Sequence, residues 1–313
     1  MLTRRVPRPI VVVVAAVGLV LVGAGCTATG GGARSGGGGA PSATSTTTTV
    51  VSIDATLTRN DVGCRGQRAL GGDDVDHFVA AAYVVGGKLG ATCFGERDPS
   101  LIAAWKRLAA IAPPSELRNL ALFAGYTSTD DTDLAFVNAL DDPGRRFQMS
   151  VNLDAFDDDV SEAQLTMAHE FAHVFTGVPD QIDRSVGPDD PCSTWFEGEG
   201  CYRPTSIMAA WIDAFWTADE LASIDPDHEP DVSDGERLCN IDPGFLGAYS
   251  ATRPDEDFAE TFAAYVYRVE APAPEVQDKF DWMDRRPELA AFRERAIAAD
   301  LGPLEGDFET CGN

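Results

Sequence analysis

Basic residues are scarce in this sequence. Its 313 residues include 24 lysines and arginines against 50 aspartates and glutamates, which gives a formal net charge of −26. Nucleic acid is therefore excluded as a partner, because phosphate binding needs a concentrated basic face. The chain also lacks internal repeats, which excludes solenoid, collagen and coiled-coil architectures. Only four histidines occur, and two of them, His169 and His173, lie in one five-residue motif.

The first 25 residues have the composition of a signal peptide. Residues 1–8 carry three arginines and no acid, and residues 10–22 form an apolar run too short for a comfortable membrane span. The small residues that follow this run end at Cys26, and this arrangement resembles a bacterial lipobox. The resemblance implies that Cys26 is lipidated and anchors the protein to a membrane. The alternative is an ordinary secreted protein that is cut near the same place.

A flexible tether and a disulfide-bonded domain are predicted to follow, facing outside the cytoplasm. Residues 26–52 are rich in Gly, Ser and Thr and cannot bury much apolar surface. Residues 53–313 are long enough for one sizeable core and hold six cysteines without a Cys-x-x-Cys pair. This count favours three disulfides over a thiolate metal site. Many pairings are possible; the local pairs Cys192–Cys201 and Cys64–Cys93 are expected, which would leave Cys239–Cys311.

The order of apolar patterns predicts an α+β fold. We expect a zincin-like arrangement, with a small antiparallel or mixed sheet beside a motif helix and a mostly helical C-terminal half. Helices are predicted at residues 76–89, 98–111, 115–122, 161–177, 207–216, 254–269 and 288–299. Extended segments, with antiparallel neighbours, are predicted at residues 122–127, 133–139 and 147–153. Residues 178–247 are rich in Pro, Asp and Gly, and we expect them to form a disulfide-stapled insertion.

The pattern His169-Glu170-x-x-His173 is the one that carries chemistry. Histidines four apart on a helix point the same way, so both imidazoles can reach one cation at about 2.0–2.1 Å. Glu170 cannot ligate comfortably beside them, but its carboxylate can take a proton from a water whose pKa zinc lowers to about 7. This HExxH pattern indicates zinc-assisted hydrolysis of a peptide bond. The alternative is a His/Glu cluster that is solvated or satisfied in the core.

A third protein ligand is required, because two histidines and a water leave a catalytic zinc one ligand short. His228 lies in an acidic, turn-like stretch and is expected at the surface. Glu256 and Glu260 are four apart on a predicted helix, so both could face the metal centre.

The two motifs together resemble the gluzincin group of zinc metallopeptidases. Around Glu256-x-Phe258-Ala259-Glu260 the sequence is similar to the lethal-factor catalytic domain. The resemblance implies that Glu256 is the third zinc ligand and that Glu260 supports the helix or a ligand imidazole. It also implies that Tyr249, seven residues before Glu256, stabilises the oxyanion. Direct ligation by Glu260 stays an alternative.

We therefore predict zinc-dependent peptide-bond hydrolysis at the cell envelope, with an endopeptidase favoured over an exopeptidase and a peptide or protein as substrate. The rival is a non-catalytic, zinc-binding lipoprotein on a zincin scaffold. By analogy with zincins, residues 147–153 are expected to be the edge strand that docks substrate. Trp195, Trp211 and Trp216 are interpreted as core rather than as a substrate groove. The acidic alternation at residues 225–231 leaves calcium as a lesser alternative.

Overall fold

The structure is a computed structural model that describes residues 53–64, 66–71, 77–127, 134–225, 231–306, 308 and 310–312. The predicted signal peptide, the whole tether with Cys26, and His228 with its acidic neighbours lie outside the described residues. Within them the chain forms the predicted α+β fold, with a mixed sheet of five strands and ten α-helices that lie mainly in the C-terminal half.

The elements are numbered here in chain order. The main sheet consists of β1 (His77–Val85), β2 (Lys88–Gly95), β3 (Leu120–Thr127), β4 (Ala135–Ala139) and β5 (Phe147–Asn152), and two short strands, β6 (Ile182–Asp183) and β7 (Cys201–Tyr202), pair separately. The helices are α1 (Gln67–Gly71), α2 (Pro99–Ile111), α3 (Leu153–Asp158), α4 (Val160–Thr176), α5 (Ile207–Phe215), α6 (Ala218–Leu221), α7 (Val232–Cys239), α8 (Pro254–Tyr267), α9 (Pro274–Asp284) and α10 (Pro287–Ala298).

The sheet has the strand order β2-β1-β3-β5-β4, and only β3 and β5 pair in parallel. The chain leaves β3, forms the outer strand β4, and then turns back through Gly144, whose φ is +68°, to place β5 between them. Two expectations are therefore wrong. The three extended segments are not successive antiparallel neighbours, and β4 rather than residues 147–153 forms the edge of the sheet on this side.

The predicted helix at residues 76–89 is also wrong, since these residues form the β1–β2 hairpin. Gly86 and Gly87 have φ values of +60° and +76°, the left-handed conformation that a tight two-residue hairpin turn requires. The spacing of apolar residues in β1 fits both the period of a helix and the period of a strand. The two glycines decide in favour of a hairpin. The helix predicted at residues 115–122 shrinks to one 3₁₀ turn, Leu117–Asn119, because β3 begins directly after it.

Helix termini largely follow local side chains. Asp98 caps α2, accepting hydrogen bonds from the backbone N–H groups of Ser100 (2.7 Å) and Leu101 (3.0 Å). The motif helix α4 is capped by Asp159, which accepts from the backbone N–H groups of Ser161 and Glu162, so the helix begins just before the predicted start at residue 161. Helices α7 and α9, and the short helices α1, α3 and α6, were not predicted from the sequence.

The main core lies between one face of the sheet and the C-terminal helices, where α4 packs against α8, β4 and β5. A smaller apolar cluster covers the opposite face of the sheet. The three expected disulfides form, with Cα–Cα distances of 5.7 Å for Cys64–Cys93, 5.6 Å for Cys192–Cys201 and 4.7 Å for Cys239–Cys311. In the described part of the chain, no helix combines the length and apolarity needed to cross a membrane.

Candidate metal centre

Two helices far apart in the chain bring three ligand atoms together. The Nε2 atoms of His169 and His173, both on α4, are 3.1 Å apart. Oε2 of Glu256, on α8, lies 3.1 Å from the first of these nitrogens and 3.5 Å from the second. A tetrahedral zinc with bonds of about 2.0–2.1 Å separates its ligand atoms by about 3.3 Å. The three groups therefore have the spacing and the chemistry of a divalent-metal site.

Glu260 lies on the other side of the His169 ring. Its Oε1 is 3.1 Å from Nδ1, so the two carboxylates of α8 face the two nitrogens of one imidazole. Helical spacing of four residues makes this possible, because it puts Glu256 and Glu260 on one face. Burial lowers the pKa of His169, but the two carboxylates at 3.1 Å outweigh it and raise that pKa well above its usual value.

Glu170 is fully buried in the same site, and neither of its carboxylate oxygens has a hydrogen-bond partner among the described residues. Burial raises the pKa of Glu170 to about 7, against the opposing charges of His169 and His173. A buried carboxylate without partners is costly, and such a group in a native protein commonly faces a water or an ion. The position of Glu170 thus suits a carboxylate that acts on a molecule held at the site.

Tyr249 points its hydroxyl into this site. The phenol ring lies 6.2 Å from the His169 ring, and its buried oxygen has no hydrogen-bond partner in the described part of the chain. Burial, with the nearby carboxylates of Glu256 and Glu170, raises the pKa of Tyr249 well above its usual value, so the phenol stays protonated. A neutral phenol can donate a hydrogen bond to an oxygen that gains negative charge.

The turn that carries Tyr249 is held from two sides. Within it, the Ser250 hydroxyl accepts from the backbone N–H of Leu246 (2.9 Å) and donates to the carbonyl of Gly247 (3.1 Å). Outside it, α7 packs so closely that a Cβ on Gly235 would lie 1.8 Å from the carbonyl oxygen of Ala248. Only a residue without a side chain permits this contact.

A second buried cluster lies on another face of α8. Asp257, directly after Glu256, is fully buried and accepts hydrogen bonds from the indoles of Trp211 and Trp216 at 3.0 Å and from the Lys279 ammonium at 2.6 Å. The core interpretation of these tryptophans is thus confirmed, and Trp195 is also buried. Sequence analysis missed this cluster, although Lys279, one of only three lysines, interrupts the apolar stripe of α9.

The structure thus brings together His169, His173, Glu256, Glu260, Glu170 and Tyr249. His77 lies exposed at the start of β1, and His228 and Cys26 lie outside the described residues. For the calcium alternative, residues 226–230 also lie outside them.

The chain matches no protein-family model and no curated protein. Among solved structures, it is similar to a crystal structure from Bacteroides caccae ATCC 43185 that is described provisionally as a zinc-binding metallo-peptidase. The sequence identity is 14% and the TM-score is 0.28. The alignment covers 64% of this chain and 66% of that one, just under two thirds of its length.

Proposed function

We propose that this protein is a zinc-dependent peptidase whose metal is held by His169, His173 and Glu256. The observation that carries the proposal is the convergence of these three ligand atoms beside Glu170, a fully buried carboxylate that no described residue satisfies. Two imidazoles and one carboxylate are a donor set that catalytic zinc uses, with a fourth position left for water or substrate.

The residues of the chain have separable roles in this chemistry. Zinc bound there would polarise a peptide carbonyl and acidify a water molecule. The Glu170 carboxylate takes a proton from the attacking water and returns it to the leaving amine as the carbon–nitrogen bond breaks. The Tyr249 hydroxyl donates a hydrogen bond to the carbonyl oxygen as that oxygen gains negative charge.

Glu260 is proposed to orient a ligand rather than to bind the metal. Its carboxylate lies at Nδ1 of His169, which favours the tautomer whose Nε2 lone pair points towards His173 and Glu256. Direct ligation by Glu260 is less well supported, because its nearest oxygen faces the imidazole nitrogen opposite the three converging atoms.

An extended substrate is proposed to dock along β4. This strand is at the edge of the sheet, and it contacts the motif helix α4. The outermost strand of a sheet can bind the backbone of an extended peptide through main-chain hydrogen bonds, with no requirement for a chain terminus. This favours cleavage within a peptide over trimming from its end.

The place of action is proposed to be outside the cytoplasm, with Cys26 as a lipid anchor. The three disulfides support an oxidising compartment, and the lipobox-like sequence before Cys26 supports the anchor.

The rival is a zinc-binding protein without catalysis. The unpartnered carboxylate of Glu170 favours a peptidase, because zinc storage does not need a buried base beside the metal. Glu170→Gln separates the two. We expect it to retain one zinc per chain by elemental analysis, and to lose hydrolysis of a mixed peptide library by at least about 100-fold.

Glu288→Gln, the same change at an exposed position in the first turn of α10, is the matched control and should keep both properties. Peptide cleavage by the Glu170→Gln variant at the wild-type rate would contradict the assignment of the base. Stoichiometric zinc in the wild-type protein, with no chelator-sensitive cleavage of any peptide, would favour the rival.

A further inference from the structure

We infer that the disulfide-closed hairpin between β6 and β7 is a positioning clamp that ties α4 to α8 and thereby sets the geometry of the three metal ligands. The clamp is defined here as residues 182–202 together with its two helix contacts, one through Arg184 and one through Arg253. The inference rests on the proposed metal site, and it concerns residues that do not touch that site.

The first contact is at the C-terminal end of α4. The Arg184 guanidinium donates to the carbonyl of Gly177, the residue that caps this helix, and the Gly177 N–H donates to the carbonyl of His173 at 2.9 Å. A cation at this position also suits the negative end of the helix dipole. Glu199 holds the same guanidinium, with its Oε2 at 3.0 Å from Nη2 and 3.2 Å from Nε. Arg184 thus joins the hairpin to the helix that carries both histidines.

The second contact is at the N-terminal end of α8. Arg253 is the N-cap residue of this helix and lies three positions before Glu256. Its guanidinium is buried and donates to the backbone carbonyl of Glu197, with a looser approach of 3.6 Å to the Glu197 carboxylate. Asp255 accepts from its Nε at 3.1 Å. Because this acceptor is a backbone carbonyl, a shift of the hairpin backbone would move Arg253 and the start of α8 with it.

The part of the hairpin that carries Glu197 and Glu199 is held by internal contacts. Cys192–Cys201 closes this part, the N–H of Glu197 donates to the carbonyl of Gly200, and that of Tyr202 donates to the carbonyl of Trp195, both at 3.0 Å. Glu197 and Glu199 are two residues apart, so one segment contacts both Arg253, the N-cap residue of α8, and Arg184, which binds the C-terminal end of α4. A rigid bridge of this kind matters because a metal site loses affinity when its ligands are displaced by even a fraction of an ångström.

The test measures zinc affinity of the metal-free full chain by competition with a chromophoric chelator. Cys192→Ser with Cys201→Ser opens the hairpin and is expected to lower zinc affinity by about 10-fold or more. The matched control is Cys64→Ser with Cys93→Ser, which opens a larger loop on the far side of the sheet. We expect that control to lose at least as much thermal stability and to keep wild-type zinc affinity.

A second pair of variants leaves all disulfides intact. Arg184→Gln removes the cap of α4 and should lower zinc affinity by a factor of about 10. Its control is Arg295→Gln, because Arg295 caps α2, a helix without a ligand, through the carbonyls of Ala109 (2.8 Å) and Ile111 (3.2 Å). Equal zinc affinity for these two arginine variants, or wild-type affinity in the opened hairpin, would overturn the clamp.

The same measurements separate this inference from the proposed function. A chain that binds zinc, shows the expected affinity differences and cleaves no peptide would support the clamp and refute hydrolysis. Full peptidase activity with unchanged zinc affinity in the opened hairpin would support hydrolysis and refute the clamp.

Discussion

Replacing Asp257 with alanine is expected to lower the free energy of unfolding by about 5 kcal/mol. The Asp257 carboxylate is fully buried, and the Lys279 ammonium that it neutralises at 2.6 Å is 3% exposed. Removing one partner of a buried ion pair costs about 3–5 kcal/mol, because the other charge is left without compensation. The indole N–H groups of Trp211 and Trp216 also lose their acceptor, at about 1 kcal/mol or more each.

The four groups form one network, so these costs are not simply additive. Lys279 also lies over the rings of Phe245 (4.3 Å) and Trp211 (5.4 Å), and these cation–π contacts would still stabilise the ammonium in part after the change. A loss of about 5 kcal/mol is a large share of the roughly 5–15 kcal/mol that stabilises a typical domain.

The assay is denaturant unfolding of the metal-free, oxidised protein, followed by tryptophan fluorescence. Asp61→Ala is the control, because it breaks the ion pairs of an exposed carboxylate with Arg59 and Arg146 and should cost less than about 1 kcal/mol. Asp257→Leu with Lys279→Met removes both charges and should cost less than the sum of the single changes. A loss below about 1 kcal/mol for Asp257→Ala, or strict additivity in the double variant, would refute this reasoning.

Two further predictions concern the site. Zinc affinity should rise from about pH 6 to about pH 8, because the glutamates raise the pKa values of His169 and His173 and zinc must displace the protons that these imidazoles hold. Calorimetry in buffers of different ionisation enthalpy would measure the protons released on zinc binding. A zinc affinity that does not change with pH would contradict this prediction. The same raised values stabilise the metal-free protein at low pH, and this stabilisation is lost as the pH rises through them. Gly235→Ala should destabilise the protein and slow hydrolysis without loss of zinc, because its Cβ would displace the turn that holds Tyr249; a more stable, fully active variant would show that α7 does not hold this turn.

The two halves of the candidate metal site were the most predictable part of the fold, because the spacing within each helix is local. Helical periodicity alone places His169 beside His173, and Glu256 beside Glu260, whatever the rest of the chain does. Helix α2 was equally predictable from the sequence, because Asp98 and Pro99 mark its start and its apolar spacing fits only the period of a helix. The number of disulfides was predicted from the cysteine count and the expected export, and their pairing from proximity in the sequence, although their geometry needed the fold.

Predictions failed where the local pattern allowed two structures or where pairing was non-local. The apolar spacing of β1 fits a helix, and only the conformation of Gly86 and Gly87 makes it a hairpin. The parallel pairing of β3 with β5 requires β4 to lie at the edge of the sheet. The sequence of no one of these three segments specifies that arrangement. Helix α9 was missed because Lys279 interrupts its apolar stripe, and that charge is explained only by Asp257 on another helix.

By itself, the sequence determined which residue types could hold and use a metal, and which of them share a helix face, because these properties depend on side-chain chemistry and on neighbours within a few residues. The tertiary structure alone decided that Glu256 and Glu260 face different nitrogens of His169, that Tyr249 lies beside the site, and that β4 is the outermost strand next to β5. Those relations join segments far apart in the chain, and only the packing of α8 against α4 sets their distances.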